Sequence, residues 1–278
     1  MNPLKEPPMP LLTFDRIADD LSRLPISAKV VGVHASLKSL GDIAPTSHAL
    51  AKILIDAFLK VLGPKGTLFV PTHSLNEVHT LLTSGYYNPN TSPSTVGGFT
   101  SALLAHPRAV RSAHPTHSTA AIGKEARYLA HGHDAFSQPL GIQNALAKTA
   151  GLDGVVLFIG ETIKANTTFH VYETLCLPAL GPYFPGMAAT EEDGLKRLVG
   201  FTWSPHLHRN FYGEAKQRTR AFNKMRSAGL LHEGNLGPAK LYYYFAKETA
   251  RFFAEEVIPK EPDIFYCNRR ESCTPIYD

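Results

Sequence analysis

Apolar residues recur along this chain in two rhythms, one helical and one of short buried runs. Between Leu11 and Leu24, the positions Leu12, Ile17, Leu21 and Leu24 keep helical spacing, which predicts a helix. Lys29-Val30-Val31-Gly32-Val33-His34 is a compact apolar run that predicts a buried strand. A loop from Ala35 to Gly41 follows. Thr46 then stands where it can cap a helix that runs to about Leu62, with Gly63-Pro64 as its stop signal. Thr67 to Val70 predicts a second strand. Strand, loop, helix and strand in that order predict a parallel α/β unit.

Polar residues from His73 to Ser94 break this rhythm and predict a long functional loop. Val96–Ala105, Lys124–Ala130 and Ile142–Thr149 read as helices, Thr119–Ile122 as a short strand, and Arg111–Ser118 as a polar loop. Val155–Ile159 is the strongest strand pattern and ends in Gly160. A helix is expected from Asn166 to Leu175. Pro178 to Tyr212 reads as several short extended pieces. Glu214–Ala228 and Pro238–Val257 read as the closing helices, with Tyr242–Phe245 packed inside the last. The expected organisation is a helical segment over 1–29, an α/β domain over 30–258 with a substrate-side loop at about 73–95, and an irregular tail over 259–278.

Composition narrows the function classes. The 278 residues carry a net charge of +4 with basic residues scattered, so a nucleic-acid partner is not expected. Three cysteines, Cys176, Cys267 and Cys273, show no paired spacing and predict no disulfide framework. No apolar run approaches the ~18 residues of a membrane span. The stretch Met1 to Pro10, with Lys5, Glu6 and several prolines, does not read as a signal peptide, so a cytoplasmic location is the expectation.

Three polar segments sit at the ends of apolar elements, where open α/β sheets gather ligands. In Val33-His34-Ala35-Ser36-Leu37-Lys38-Ser39-Leu40-Gly41, backbone N–H groups after the strand can face an anion, helped by Ser36, Lys38 and Ser39. The segment lacks the glycines of a phosphate loop, and an ordinary connection is the other reading. In Arg111-Ser112-Ala113-His114-Pro115-Thr116-His117-Ser118, Arg111 offers a two-pronged grip on phosphate or carboxylate, and Ser112 and Ser118 add donors. His114 and His117 invite a metal, but Pro115 disfavours a helix there and no cysteine or carboxylate stands at ligand spacing. A polar turn is the alternative. In Asn166-Thr167-Thr168-Phe169-His170-Val171-Tyr172-Glu173, Thr167 or Thr168 is the expected cap, and His170 and Glu173 share a helical face. A histidine near a helix N-terminus stays neutral, as a general base must. The alternative is a core histidine with Glu173 solvated.

Taken in order, these segments resemble the aminoglycoside 3-N-acetyltransferase family. The motifs are Val33-His34-Ala35-Ser36-Leu37 with Gly41; Gly66-Thr67-Leu68 to Pro71-Thr72; Thr95-Val96-Gly97-Gly98-Phe99-Thr100; and Arg111-Ser112-x-His114-Pro115-Thr116-His117-Ser118. Ala121-Ile122-Gly123, His131, Gly154 to Gly160, Asn166-Thr167-Thr168-x-His170-x-x-Glu173 and Gly234 to Ala239 complete the set. Phe136-Ser137-Gln138-Pro139-Leu140-Gly141 departs from the Cys-Gly-x-x-Ser-Pro stretch that members often carry there.

The resemblance implies a mixed, largely parallel central sheet flanked by helices. It also implies acetyl transfer from acetyl-coenzyme A to a primary amine of an aminoglycoside or other amino sugar or natural product, with neither metal nor covalent enzyme intermediate. His170 would be the general base with Glu173 close by, and Thr168 would shape the acyl site. His34, Ala35, Ser36, Leu37 and Lys38, with Arg111, Ser112 and Ser118, would hold the coenzyme. Glu77, Asn166 and Thr167 would face the acceptor, and the enzyme would be a monomer or homodimer. Two other readings are a metal-dependent hydrolase using His114, His117, His170 and Glu173, and a coenzyme A-binding protein without turnover.

Overall fold

Helix α1 (Phe14–Ser22) starts at Thr13, whose hydroxyl oxygen accepts from the Arg16 N–H at 3.3 Å. That oxygen satisfies one of the N–H groups a helix start leaves open. Strand β1 (Val30–Ala35), a 3-10 turn (Leu37–Leu40), α2 (Ser47–Leu62) and β2 (Thr67–Pro71) follow. Thr46 caps α2 through the Ala49 N–H at 3.1 Å, and Gly63, at φ 66°, closes it. The computed structural model describes residues 13–41, 46–74, 87–160, 163, 166–176, 184–192, 195–203, 215–261 and 264.

The chain continues through α3 (Gly98–Leu104), β3 (Val110–Arg111), β4 (Thr119–Gly123), α4 (Ala126–Ala130), α5 (Ala145–Gly151) and β5 (Val155–Ile159). Then come α6 (Thr168–Cys176), β6 (Phe184–Glu192), β7 (Leu195–Trp203), α7 (Ala215–Ser227), β8 (His232–Leu236), β9 (Ala239–Phe245) and α8 (Ala246–Phe252), which runs into a π-helical turn at Phe253–Val257. Seven strands form one sheet in the order β3-β4-β2-β1-β5-β9-β8. β1 pairs in parallel with β2 and β5, while the pairings β2–β4, β3–β4, β5–β9 and β8–β9 are antiparallel. The sheet is therefore mixed, with its parallel part confined to the three central strands. The segment expected to hold short extended pieces forms a two-stranded ribbon, β6 with β7.

Alternation along the strands divides the core. Val31, Val33, Val155, Leu157 and Ile159 face α1, α2 and α3, where Ile17, Leu21, Leu54, Phe58 and Phe99 are buried. The opposite face splits into two clusters. Val156, Phe158, Tyr242 and Tyr244 pack with Phe169 and Tyr172 of α6 and Phe222 of α7. Val30 and Phe69 pack with Val171 of α6 and with Leu129 and Leu146. Each such aliphatic or aromatic side chain contributes about 1.5–3 kcal/mol on burial, and the strands are covered on both faces, as parallel strands require.

The expected helix over Pro238–Val257 is corrected at its start. Gly237, at φ 53°, turns the chain so that β9 pairs with β5, from Val155↔Phe245 to Ile159↔Leu241. Without β9, the far edge of a buried strand would hold unpaired backbone groups. The run Leu241-Tyr242-Tyr243-Tyr244 suits a pleated surface. Tyr242 and Tyr244 enter the cluster with Phe158, whereas Leu241 joins the core on the other face. The tyrosines thus pack from a strand, not from a helix.

Gly32 pairs with Phe69 across β1 and β2, and a Cβ on Gly32 would lie 2.4 Å from Phe69 Cζ. Phe69 is fully buried and has no room to retreat. We expect Gly32→Ala to destabilise the fold by about 2 kcal/mol through overpacking. In thermal unfolding, Phe69→Leu in the same chain should recover part of that loss, whereas additive losses would show that the two residues do not clash.

Candidate active site

Parallel pairing brings the carboxyl ends of β1, β2 and β5 to one edge of the sheet, where ligands of open α/β sheets collect. The loop after β1 is tied to the end of β5. Ser36 N–H donates to Ile159 O at 3.0 Å, and Ser39 Oγ donates to Ser36 O at 2.6 Å. Gly160 adopts φ 76°, and a Cβ there would meet Ser39 Oγ at 2.5 Å, so only glycine lets the loop sit this close. Ala35, Ser36 and Leu37 are half-buried at this edge and Lys38 is exposed. His34 shares a sheet face with Val30 and Gly32, and its ring stacks on Phe158 at 5.0 Å and 14°. Burial lowers its pKa to about 4, so the ring is neutral at pH 7.

Helix α6 approaches the same face. Phe169 is buried in one cluster and Val171 in the other, which lays the first turn across the seam between them. His170 lies between these anchors and is 2% exposed. Asn166 supports the start of α6 from just before the expected cap positions, Thr167 and Thr168. Its Oδ1 accepts from the Thr168 N–H at 3.1 Å, because an asparagine side chain reaches the N–H two residues on. Tyr244 OH donates to the same Oδ1 at 3.1 Å from β9. Burial pushes the Tyr244 phenol well above its ordinary pKa, against weaker opposing effects of Thr168 and Asn166, so the hydroxyl keeps its proton. Glu173 lies on α6, but its side chain falls outside the described residues, as does Glu77 entirely.

The segment after β3 is held by a dense set of internal bonds. Arg111 Nε donates to Ser118 Oγ at 3.0 Å, Nη2 to Thr72 O at 3.0 Å, and Nη1 to the carbonyls of Pro89 and Ser92. Its guanidinium also lies over the Tyr87 ring, 5.4 Å from the centroid. These bonds clamp the loop at 87–92 onto the end of β2. Ser118 Oγ further bonds Thr72, and Ser112 Oγ accepts from the Thr119 N–H at 3.0 Å. Arg111, Ser112 and Ser118, the residues expected to meet the coenzyme, are thus each buried or half-buried and held by bonds within the protein.

A row of buried histidines runs through the same region. His73 and His117 have ring centroids 4.9 Å apart, His117 and His114 6.0 Å, and His114 and His133 4.9 Å. His133 was legible only as the residue after a helix end, yet it is 1% exposed. Its Nε2 faces Pro139 O at 3.0 Å and must donate there, so Nδ1 accepts from Ser112 Oγ at 3.0 Å. His114 Nδ1 accepts from the N–H groups of Thr116 and His117, each at 3.2 Å. The pair expected as alternative metal ligands is therefore bonded into a turn. Among the described residues, no group of three or more His, Cys, Asp or Glu is arranged to hold a metal ion.

Burial lowers the pKa of His34 and of His133 from 6.5 to about 4, with Pro139 O opposing the shift at His133. Between those pH values the unfolded chain takes up protons that the native protein refuses. Stability is thus complete above pH 6.5 and falls as pH drops toward 4, by up to about 3 kcal/mol per histidine. His133→Gln should flatten the pH dependence of the urea midpoint in this window, and an unchanged slope would contradict the assignment. Arg111→Met should cost about 3 kcal/mol by leaving the carbonyls at 89 and 92 without their donor and Thr72 O with Ser118 Oγ alone, with hydrogen exchange accelerated first at 87–92.

The model of the aminoglycoside 3-N-acetyltransferase family matches residues 33–257. Aminoglycoside N(3)-acetyltransferase IV of a Salmonella species is 31% identical over 190 residues, which span 66% of this chain and 65% of that protein. Among solved structures, the aminoglycoside acetyltransferase AAC(3)-Xa superposes with a TM-score of 0.74 at 26% identity, covering 88% of this chain and 93% of that one. AAC-IIIb, in a binary complex with CoASH, superposes at 0.75 with 18% identity over 89% and 96% of the two chains, a likeness of fold alone.

Proposed function

The chain belongs to the aminoglycoside 3-N-acetyltransferase family, and from that premise we propose that it moves an acetyl group from acetyl-coenzyme A to a primary amine of an aminoglycoside or another amino sugar. The carrying observation is that the matched stretch, residues 33–257, holds the loop after β1, the start of α6 and the clamped segment after β3. AAC-IIIb binds CoASH on the same fold, which supports coenzyme A as the cosubstrate.

In this reading His170 is the base. An alkylammonium does not attack a thioester until it has lost a proton. The ammonium first releases one proton to solvent; His170 then takes a second from the neutral amine nitrogen as its lone pair forms the C–N bond, and the C=O pair moves onto oxygen. Collapse restores the C=O and breaks the C–S bond with its electron pair on sulfur. The proton held by His170 passes to sulfur, and amide and thiol depart. Glu173, three residues along α6, orients the ring, and Thr168 shapes the acyl site. The segment from His34 to Lys38, with the Lys38 ammonium, holds the coenzyme's phosphates and pantetheine arm together with Arg111, Ser112 and Ser118. Thr167 and Glu77 serve the acceptor.

The test is thiol release from acetyl-coenzyme A with a panel of amines. His170→Ala should lower kcat by about 10²–10⁴-fold with its melting temperature close to wild type, and near-full activity would remove His170 from the role. Gly160→Ala, which pushes on Ser39, should raise KM for acetyl-coenzyme A several-fold and leave kcat nearly unchanged.

A further inference from the structure

Asn166 stands one turn before His170 and its side chain is 5% exposed. The chain is already wound at this point, since Phe169 N–H donates to Asn166 O at 3.4 Å and His170 N–H to Thr167 O at 3.1 Å. Asn166 lies two residues before α6, so its amide stands at the end of the helix whose first turn carries His170. The atom that accepts from the Thr168 N–H must be the amide oxygen, because a backbone N–H only donates. Tyr244 OH holds the same oxygen from the opposite strand. The amide therefore has a single orientation. Its Nδ2 is buried and has no hydrogen-bond partner among the described residues.

Buried amide groups are nearly always paired, so an unfilled pair of N–H donors beside a candidate base marks a place for an acceptor atom brought by a ligand. A protonated amine is the wrong chemistry for two donors. The carbonyl oxygen of an acyl thioester is the right one. We propose that Asn166 Nδ2 donates to that carbonyl oxygen, and that Tyr244 is the positioning residue that aims it. The inference rests on the acyl-transfer reading above. As the amine attacks and the C=O pair moves onto oxygen, the charge that develops there strengthens the bond from Nδ2. Tyr244 is suited to its part. It is fully buried, its ring lies 6.0 Å from that of Phe158, and Phe158 in turn stacks on His34. Its hydroxyl is thus fixed relative to the loop after β1.

Side-chain amide signals of ¹⁵N-labelled protein test this without turnover. The Asn166 pair is the one missing from the spectrum of Asn166→Asp. It should shift when acetyl-coenzyme A is added without amine, and not when coenzyme A, which lacks the carbonyl, is added. A pair that stays still while acetyl-coenzyme A binds, or that moves equally with both, overturns the inference and leaves the acyl-transfer reading standing. Failure of either coenzyme to bind overturns both. Kinetically, Asn166→Asp should lower kcat about 100-fold with KM for acetyl-coenzyme A within about threefold, because the lost bond matters most in the transition state. Asn166→Ser, which keeps an oxygen for the Thr168 N–H, should show the same split if the aspartate variant does not fold. Tyr244→Phe should lower kcat about tenfold and broaden the Asn166 amide pair. A kcat within twofold of wild type for the folded Asn166 variant, or a fall in coenzyme A affinity as large as the fall in kcat, overturns the assignment.

Discussion

Everything at the site depends on the register of β1 between its two parallel neighbours. Val31 pairs with Leu68 on one side and Val155 on the other, and His34 with Phe158. A slip of one residue would exchange the faces of β1. His34 would enter the aliphatic core under α2, and Val33 would take its place on Phe158. Gly32 is part of the same constraint, because only its missing side chain lets the Phe69 ring lie across the strand. The register thus sets which face carries polar groups and where the loop at 36–40 begins.

Around that fixed edge, polar groups are held by two kinds of bond. The clamp of Arg111 joins three separate stretches, at 72, 89–92 and 118, through one planar cation. In the histidine row beside it, desolvation keeps His133 unprotonated at ordinary pH, as it does His34 on β1.

Much of the frame was legible in the sequence. Val30 to His34, the helix after Thr46, its stop at Gly63 and the strand Val155–Ile159 all follow from local patterns of apolar, capping and breaking residues. Each is a contest decided within a few residues. The hairpin of β8 and β9 was not legible in the same way. Tyr242 to Tyr244 can line a helix or a strand, and what decides is the open edge of β5, some eighty residues earlier in the chain. The site shows the same division. His34 and His170 stand out by position after strands or at a helix start. His133 and Tyr244 do not, because their value comes from partners that are distant in sequence, Ser112 and Asn166. Arg111 was singled out for its chemistry, but neighbouring carbonyls that no local pattern reveals take up its donors.

The bond from Tyr244 to Asn166 spans 78 positions of the chain. During synthesis, α6 therefore leaves the ribosome well before the residue that holds Asn166. At about 5–20 residues per second, the nascent chain carries a helix with an unsupported start, and a β5 with one bare edge, for several seconds. The hairpin that ends in β9 closes both at once. Translation order thus makes the C-terminal hairpin the element that completes the corner around Asn166.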